Sequence, residues 1–177
     1  MRIFIAIELP EEIKKKIDGF QKEISGRVLL RMVAPKNLHL TLVFLGEILE
    51  TDKEKVIGTV RKGVMGIIPF GLFLGKPEFF PKWGKPRGLW INVEGQTEEL
   101  GKLQHSLVCK LKESQFILER LDFSAHVTVG RTKGENKRVE FAPFRKAEFT
   151  TCSVTIFSSK LTPKGPRYSK IETIPLK

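Results

Sequence analysis

Two stretches of this chain, LHLTLVF at 38–44 and HVTV at 126–129, alternate with the two-residue rhythm of a β-strand, and each carries the step His-x-Thr. Side chains at i and i+2 of a strand share a face. His39 and Thr41 therefore stand side by side on one strand, and His126 and Thr128 on another. Leu40, Leu42 and Phe44, with Val127 and Val129, turn the opposite way into a core. With 3 His and 11 Thr in 177 residues, chance alone yields two such steps in roughly one chain in a hundred. Two such strands facing one cleft would supply two proton carriers and two hydroxyl donors around one small anionic group.

Two imidazoles and two hydroxyls around one cleft suit a small anion, and phosphate above others. The unperturbed histidine pKa near 6.5 lets one imidazole accept a proton while a second donates one at neutral pH. A threonine hydroxyl can donate to a non-bridging phosphate oxygen as charge develops there. In-line displacement at phosphorus needs a base on the attacking oxygen and an acid on the leaving one, on opposite sides. Metal-free phosphodiester chemistry follows from that layout, with no cofactor. A zinc site is the competing use of the histidines, but a structural zinc takes four protein ligands and a catalytic one three. Neither motif strand has a further Cys, Asp or His at ligand spacing, and His105 lies in a helical stretch far from both, so it is assigned no chemistry.

Charge points to a polyanion. Net charge is +11, from 31 Lys and Arg against 20 Asp and Glu, and from Arg131 to Lys177 there are 11 basic and 4 acidic residues. Much of the positive field is thus expected near the second motif. The PKWGKPRG loop at 81–88 sets Trp83 beside Lys82, Lys85 and Arg87, the makeup of a place where a base stacks and phosphates are steered, or of a Trp that anchors a surface loop. No run reaches the roughly 18 apolar residues that span a bilayer, and MRIFIAIELPEEIKKK lacks a secretory cleavage pattern, so a cytoplasmic protein is expected. Cys109 and Cys152 are read as reduced, mostly buried thiols rather than a disulfide.

The remaining pattern gives the frame. Residues 2–8 read as a strand and Pro10-Glu11-Glu12 opens a helix with the stripe Ile13, Ile17, Phe20, Ile24. The first His strand covers about 38–45. A second helix is expected at about 52–64, capped by Thr51, with Val56, Ile57, Val60 and Val64 inward. Two strands then flank the Trp83 loop. A third helix at about 98–114, capped by Thr97, buries Leu100, Leu103, Leu107 and Leu111. The second His strand lies at about 125–131, a long strand near 147–158, a PKGP turn at 163–166 and a last strand near 167–174. Strand, helix, His strand therefore occurs twice, a rough internal duplication.

The sequence resembles the 2H phosphoesterase superfamily, in its branch of RNA 2′,3′-cyclic phosphodiesterases also described as 2′-5′ RNA ligases. The resemblance runs through MRIFIAIELP, NLHLTLVFLGE, PRGLWINVEG, FSAHVTVGRTKG and SSKLTPKGPRY. It departs at Met32, where the branch often has Trp, at Val43, where Lys is common, and at Ala125, where Pro usually precedes the second His. The resemblance implies an α+β fold: 1–177 as one bilobal domain of two pseudo-symmetric antiparallel sheets with helices outside, each lobe giving one His-x-Thr strand to a central groove. By resemblance His39 is the proton donor to the departing ribose oxygen and His126 the proton acceptor that activates water; the residues alone leave the reverse open. Thr41 and Thr128 would bind the non-bridging oxygens. Arg131, five places after His126, has the wrong parity for a regular strand and reaches the phosphate only if the strand bends near Gly130. Tyr168 matches the closing motif and would line the groove or pack the lobe interface.

The implied partner is RNA ending in a 2′,3′-cyclic phosphate, such as a tRNA fragment, acted on by a monomer without a membrane. With an RNA 5′-hydroxyl in place of water the same groups would form a 2′-5′ linkage. Two rivals stay open: a 2H enzyme for a small cyclic nucleotide, and a non-catalytic RNA-binding module.

Overall fold

The computed structural model describes residues 1–119, 122–134, 138–145, 147–163 and 165–177. Among these, nine strands form one wholly antiparallel sheet: β1 (Arg2–Glu8), β2 (Leu30–Met32), β3 (His39–Glu47), β4 (Phe70–Phe80), β5 (Gly88–Gly95), β6 (His126–Thr132), β7 (Glu148–Thr151), β8 (Ser153–Thr162) and β9 (Gly165–Pro175). Their order is β7-β4-β5-β6-β3-β1-β8-β9, with β2 against β6. Three α-helices, α1 (Glu11–Ile24), α2 (Lys53–Gly63) and α3 (Thr97–Glu113), and two short 3-10 helices, Pro35–Asn37 and Glu50–Asp52, complete the fold of the described residues.

The two His strands are neighbours at the centre of this order, and among the described residues one register pair joins them, Leu40 with Val127. On either side lies a four-strand half, β9-β8-β1-β3 and β6-β5-β4-β7. In each, the chain enters on the strand beside the His strand, crosses a helix and returns on the His strand, by β1-α1-β3 and by β5-α3-β6. The duplication read from the sequence is thus present in the pairing.

The expected long strand at 147–158 is instead two strands broken at Cys152. β7 pairs with β4 at one sheet edge, and β8 lies between β1 and β9 in the other half. In a flat sheet those strands would be six positions, or about 29 Å, apart, far beyond the about 3.8 Å that one residue spans. The sheet must therefore curl until its far ends meet. FTTCSVTIF has no Gly or Pro to mark the break; its one local sign is the polar doublet Thr150-Thr151, across which the apolar residues slip from an odd position, Phe149, to even ones, Val154 and Ile156.

One continuous apolar cluster fills a single side of the sheet. It joins Ile13, Ile17 and Ile24 of α1, Val56 and Val60 of α2, and Leu100, Leu103, Leu107 and Leu111 of α3 to the inward residues of both halves. The four α3 leucines are each 0% exposed, and full burial of such a side chain stabilises by roughly 1.5–3 kcal/mol. Smaller expectations are corrected. Phe20 and Ile57 lie at the margin of the core rather than within it, and Gln21 and Thr59 are buried. Asp52 and Gln96, not Thr51 and Thr97, precede α2 and α3, and neither makes a side-chain cap bond. The last strand begins at Gly165, so the turn is shorter than PKGP; Lys164 lies outside the described residues. The thiols are less buried than expected: Cys109 is half-buried and Cys152 exposed.

Candidate active site

The groove face of the sheet is the one the helices leave uncovered. His39 opens β3 and His126 opens β6, and both are followed by the same irregularity. In β3, Thr41 pairs with Ala6 and Val43 with Ile5, leaving Leu42 as an extra residue. In β6, Thr128 pairs with Trp90 and Gly130 with Leu89, leaving Val129 extra. Each bulge buries two successive residues and reverses the parity beyond them. The fifth residue after each histidine therefore returns to the groove: Phe44 in one half, Arg131 in the other. This corrects Phe44, which regular alternation places in the core, and it supplies the bend that Arg131 needs.

The imidazoles are held alike. His39 Nδ1 donates to the Asn37 carbonyl at 2.7 Å, and His126 Nδ1 donates to the Ser124 carbonyl at 2.7 Å. A carbonyl can only accept, so each Nδ1 carries hydrogen and each Nε2 is left for the groove. Burial holds the His39 pKa down at about 4, against the bond to Asn37, which favours the charged form; the His126 charge lowers it further. Burial lowers His126 as well. The rings stand on adjacent strands, near enough for a charge on His126 to act on His39.

Their surroundings differ. The His126 ring stacks on Trp90 at 3.6 Å between centroids and 13° between planes, and Trp90 stacks on Phe80 at 3.6 Å and 7°. His39 meets Phe4 at 4.9 Å, tilted by 33°, and the edge of Tyr168 at 5.4 Å. Phe4, Ala6 and Phe157 form a second small apolar cluster, with Tyr168 packed on it. Burial raises the Tyr168 pKa and the nearby Arg131 cation opposes the rise, so Arg131 from β6 and Tyr168 from β9 act on one space. Thr41 and Thr128 are half-buried on the same faces as their histidines.

A carboxylate also lies here. Glu8 is opposite His39 in register. Burial would raise its pKa, but Lys170, 2.6 Å away, and the Thr155 hydroxyl, donating at 2.8 Å, outweigh that and hold it low. Its charge is thereby compensated toward β8 and β9. Among the described residues, no three His, Cys, Asp or Glu side chains converge as a metal would require. His105 is exposed on α3, its Nε2 3.4 Å from Cys109 Sγ.

Several residues of this site escape a reading of the sequence. Trp90 and Asn92 stand at the outward parity of LWINV, and a Trp at such a position is the available sign. Phe4 sits in a strand apolar at both parities, the mark of a strand covered on two faces. Gln21, 5% exposed, holds the second bulge: its Nε2 donates to the carbonyls of Val129 and Val33, each at 2.9 Å, and the Val33 N–H donates to Val129 at 2.8 Å. Gly88 pairs with Arg131, and a Cβ there would lie 2.9 Å from the Gly130 carbonyl oxygen, too close for any side chain.

Residues 7–90 match the family described as LigT like phosphoesterase. An RNA 2′,3′-cyclic phosphodiesterase of Archaeoglobus fulgidus is 36% identical over 176 residues, covering 97% of this chain and 98% of that protein. A protein of the same name from Thermotoga maritima is 34% identical over 173 residues, covering 95% and 91%. A solved structure from Thermus thermophilus superposes with a TM-score of 0.85 at 28% identity, covering 99% and 98%. Escherichia coli LigT complexed with 3′-AMP gives 0.83 at 26% identity, covering 99% and 97%. Near full-length identity above 30%, on a curled antiparallel sheet with a His-x-Thr strand in each half, establishes that the chain belongs to the LigT-like phosphoesterases of the 2H superfamily.

Proposed function

We propose that this protein hydrolyses the 2′,3′-cyclic phosphate end of RNA, leaving a 2′-phosphate and a free 3′-hydroxyl, with residues 1–177 working as one two-lobed unit. The observation that carries the reading is the matched pair of imidazoles on adjacent strands, each with Nδ1 committed to the carbonyl two residues back, which leaves Nε2 of each for proton transfer. That the A. fulgidus and T. maritima relatives are named for this activity supports it.

Water enters on the His126 side. Nε2 of His126 takes a water proton as the new O–P bond forms, and the bond from phosphorus to the ribose 3′-oxygen breaks as His39 Nε2 gives that oxygen its proton. Thr41 and Thr128 donate to the non-bridging oxygens. Arg131 balances their charge, and Tyr168 walls the groove beside His39. The role of His39 has an electrostatic condition. With its pKa near 4 it is neutral in the empty groove at pH 7, so the negative phosphodiester must supply the field that charges it. The reversed assignment would make His126 the acid and His39 the base. The two assignments differ in which histidine a good leaving group makes dispensable. Attack by an RNA 5′-hydroxyl would put that oxygen in the place of water and make a 2′-5′ link, but water at about 55 M outcompetes an RNA end that is not held in place.

The test is an RNA oligomer ending in 2′,3′-cyclic phosphate, incubated in chelator with the wild type and with His39→Ala and His126→Ala. A 2′-phosphate product, lost by at least about a hundredfold in each variant, is expected. No turnover by the wild type overturns the reading in favour of a small cyclic nucleotide or simple RNA binding. Activity that needs added metal overturns the metal-free mechanism.

A further inference from the structure

Trp83 is 82% exposed, so it anchors nothing. The loop that carries it, between β4 and β5, is nonetheless braced. The Arg138 guanidinium donates to the Pro81 carbonyl at 2.8 Å and to the Gly84 carbonyl at 2.7 Å, fixing the chain on both sides of the indole. An aromatic ring this large is ordinarily covered, at least in part, because its apolar area is costly in water. A ring held out on a clamped loop is a stacking surface prepared in advance.

The loop also has the charge and position of an approach to the groove. PKWGKPR at 81–87 contains three cations and no acid. Its far root is tied to β6 beside Arg131: the Thr132 N–H donates to the Arg87 carbonyl at 3.0 Å, and the Thr132 hydroxyl to Pro86 at 3.1 Å. Arg87 lies 5.8 Å from the centre of the Phe80 ring, which stacks on Trp90, which stacks on His126. An unbroken run of flat groups thus leads from the loop to the imidazole. On β2, exposed Arg31 pairs with Arg131 and adds a cation at the same end.

We propose that the 81–87 loop is a subsite for the RNA nucleotides that precede the cyclic end, with a base stacked on Trp83 and the neighbouring phosphates held by Lys82, Arg87 and Arg31. Single-stranded RNA is bound in this way without sequence preference, because every base has a π face, and each stacked base is worth about 1–3 kcal/mol. The proposal rests on the RNA reading above and extends it from one terminal group to a length of chain.

The experiment compares an eight-nucleotide RNA and a dinucleotide, both ending in 2′,3′-cyclic phosphate. Trp83→Ala is expected to lower the octamer-to-dinucleotide ratio of kcat/KM by about tenfold, through KM, and Trp83→Phe to restore most of it. A ratio unchanged in Trp83→Ala overturns the subsite. Removing the Lys82 and Arg87 cations should flatten the salt dependence of octamer binding by about 0.7 in log–log slope for each phosphate that is no longer neutralised. A binding measurement keeps the subsite testable if the wild type turns over neither substrate. The chain has 2 Trp, so the emission that disappears in Trp83→Phe reports the loop. Quenching of that emission by an octamer ending in 2′-phosphate supports the subsite, and saturable binding without quenching refutes it.

Discussion

The two His-x-Thr halves share a frame and differ in what the frame carries. Both histidines give Nδ1–H to the carbonyl two residues back, both threonines follow on the same face, and both strands bulge immediately afterwards. Beyond the bulge, however, one half presents Phe44 and the other Arg131. Across from the threonines stand Ala6 in one half and Trp90 in the other. The first half is a buried aromatic pocket in which an imidazole resists charge, and the second is a stacked, cation-bearing wall. The same backbone device has thus been given two chemical environments, which suits the proposed division into one acid and one base.

The widest separation between the halves should come from the leaving group. On a p-nitrophenyl phosphodiester, whose departing oxygen needs no proton, His39→Ala should recover at least about a hundredfold relative to its loss on RNA cyclic phosphate, while His126→Ala recovers nothing. Recovery in His126→Ala instead would exchange the two roles. A smaller effect is expected from Gln21→Leu, which strips the Val129 carbonyl of a donor and loosens the bulge that aims Arg131. A loss of about tenfold in kcat/KM should accompany destabilisation of about 1–3 kcal/mol. If Gln21 works through Arg131, then Gln21→Leu adds little to Arg131→Ala in activity while still lowering the melting temperature; full additivity would break that link.

The mildest change concerns pH. Both histidine pKa values lie below 6.5 in the free enzyme, so the form carrying one proton is depleted as pH rises through them, and kcat/KM should already be falling by pH 6.5. Trp90→Leu should let water reach His126 and raise its pKa toward 6.5, moving that limb upward by a fraction of a unit and leaving His39 where it is. Titration of the two imidazole signals by NMR would check this, and a shift at His39 instead of His126 would sink it.

Much of the site is legible in the chain because period-two alternation fixes which residues are neighbours on a face. His39 with Thr41, and His126 with Thr128, need nothing more. Alternation misplaces Phe44 because it runs straight through Leu42-Val43, an apolar doublet that in the fold marks a bulge. Val129-Gly130 is its counterpart, and there the need for a bend is visible because a cation has to reach the groove. The stacking of Trp90 on His126 depends on pairing between strands 36 residues apart in sequence, which no local pattern encodes. Gln21 lies four residues after Ile17, in the helix stripe itself, but its two carbonyl partners belong to loop and strand segments that only the closed sheet brings near.

The passage from β7 to β8 at Cys152 bears on how the chain assembles. The sheet half that contains His39 cannot be completed from the first part of the chain, because β1 must pair with β8, about 150 residues later, and β8 with β9 after that. The other half is threaded between these pieces. During synthesis β1 and β3 must therefore wait, with their apolar faces unmatched, until nearly the whole chain has emerged. Such long-range pairing is slow to form, so His39 is expected to enter its pocket among the last events of folding.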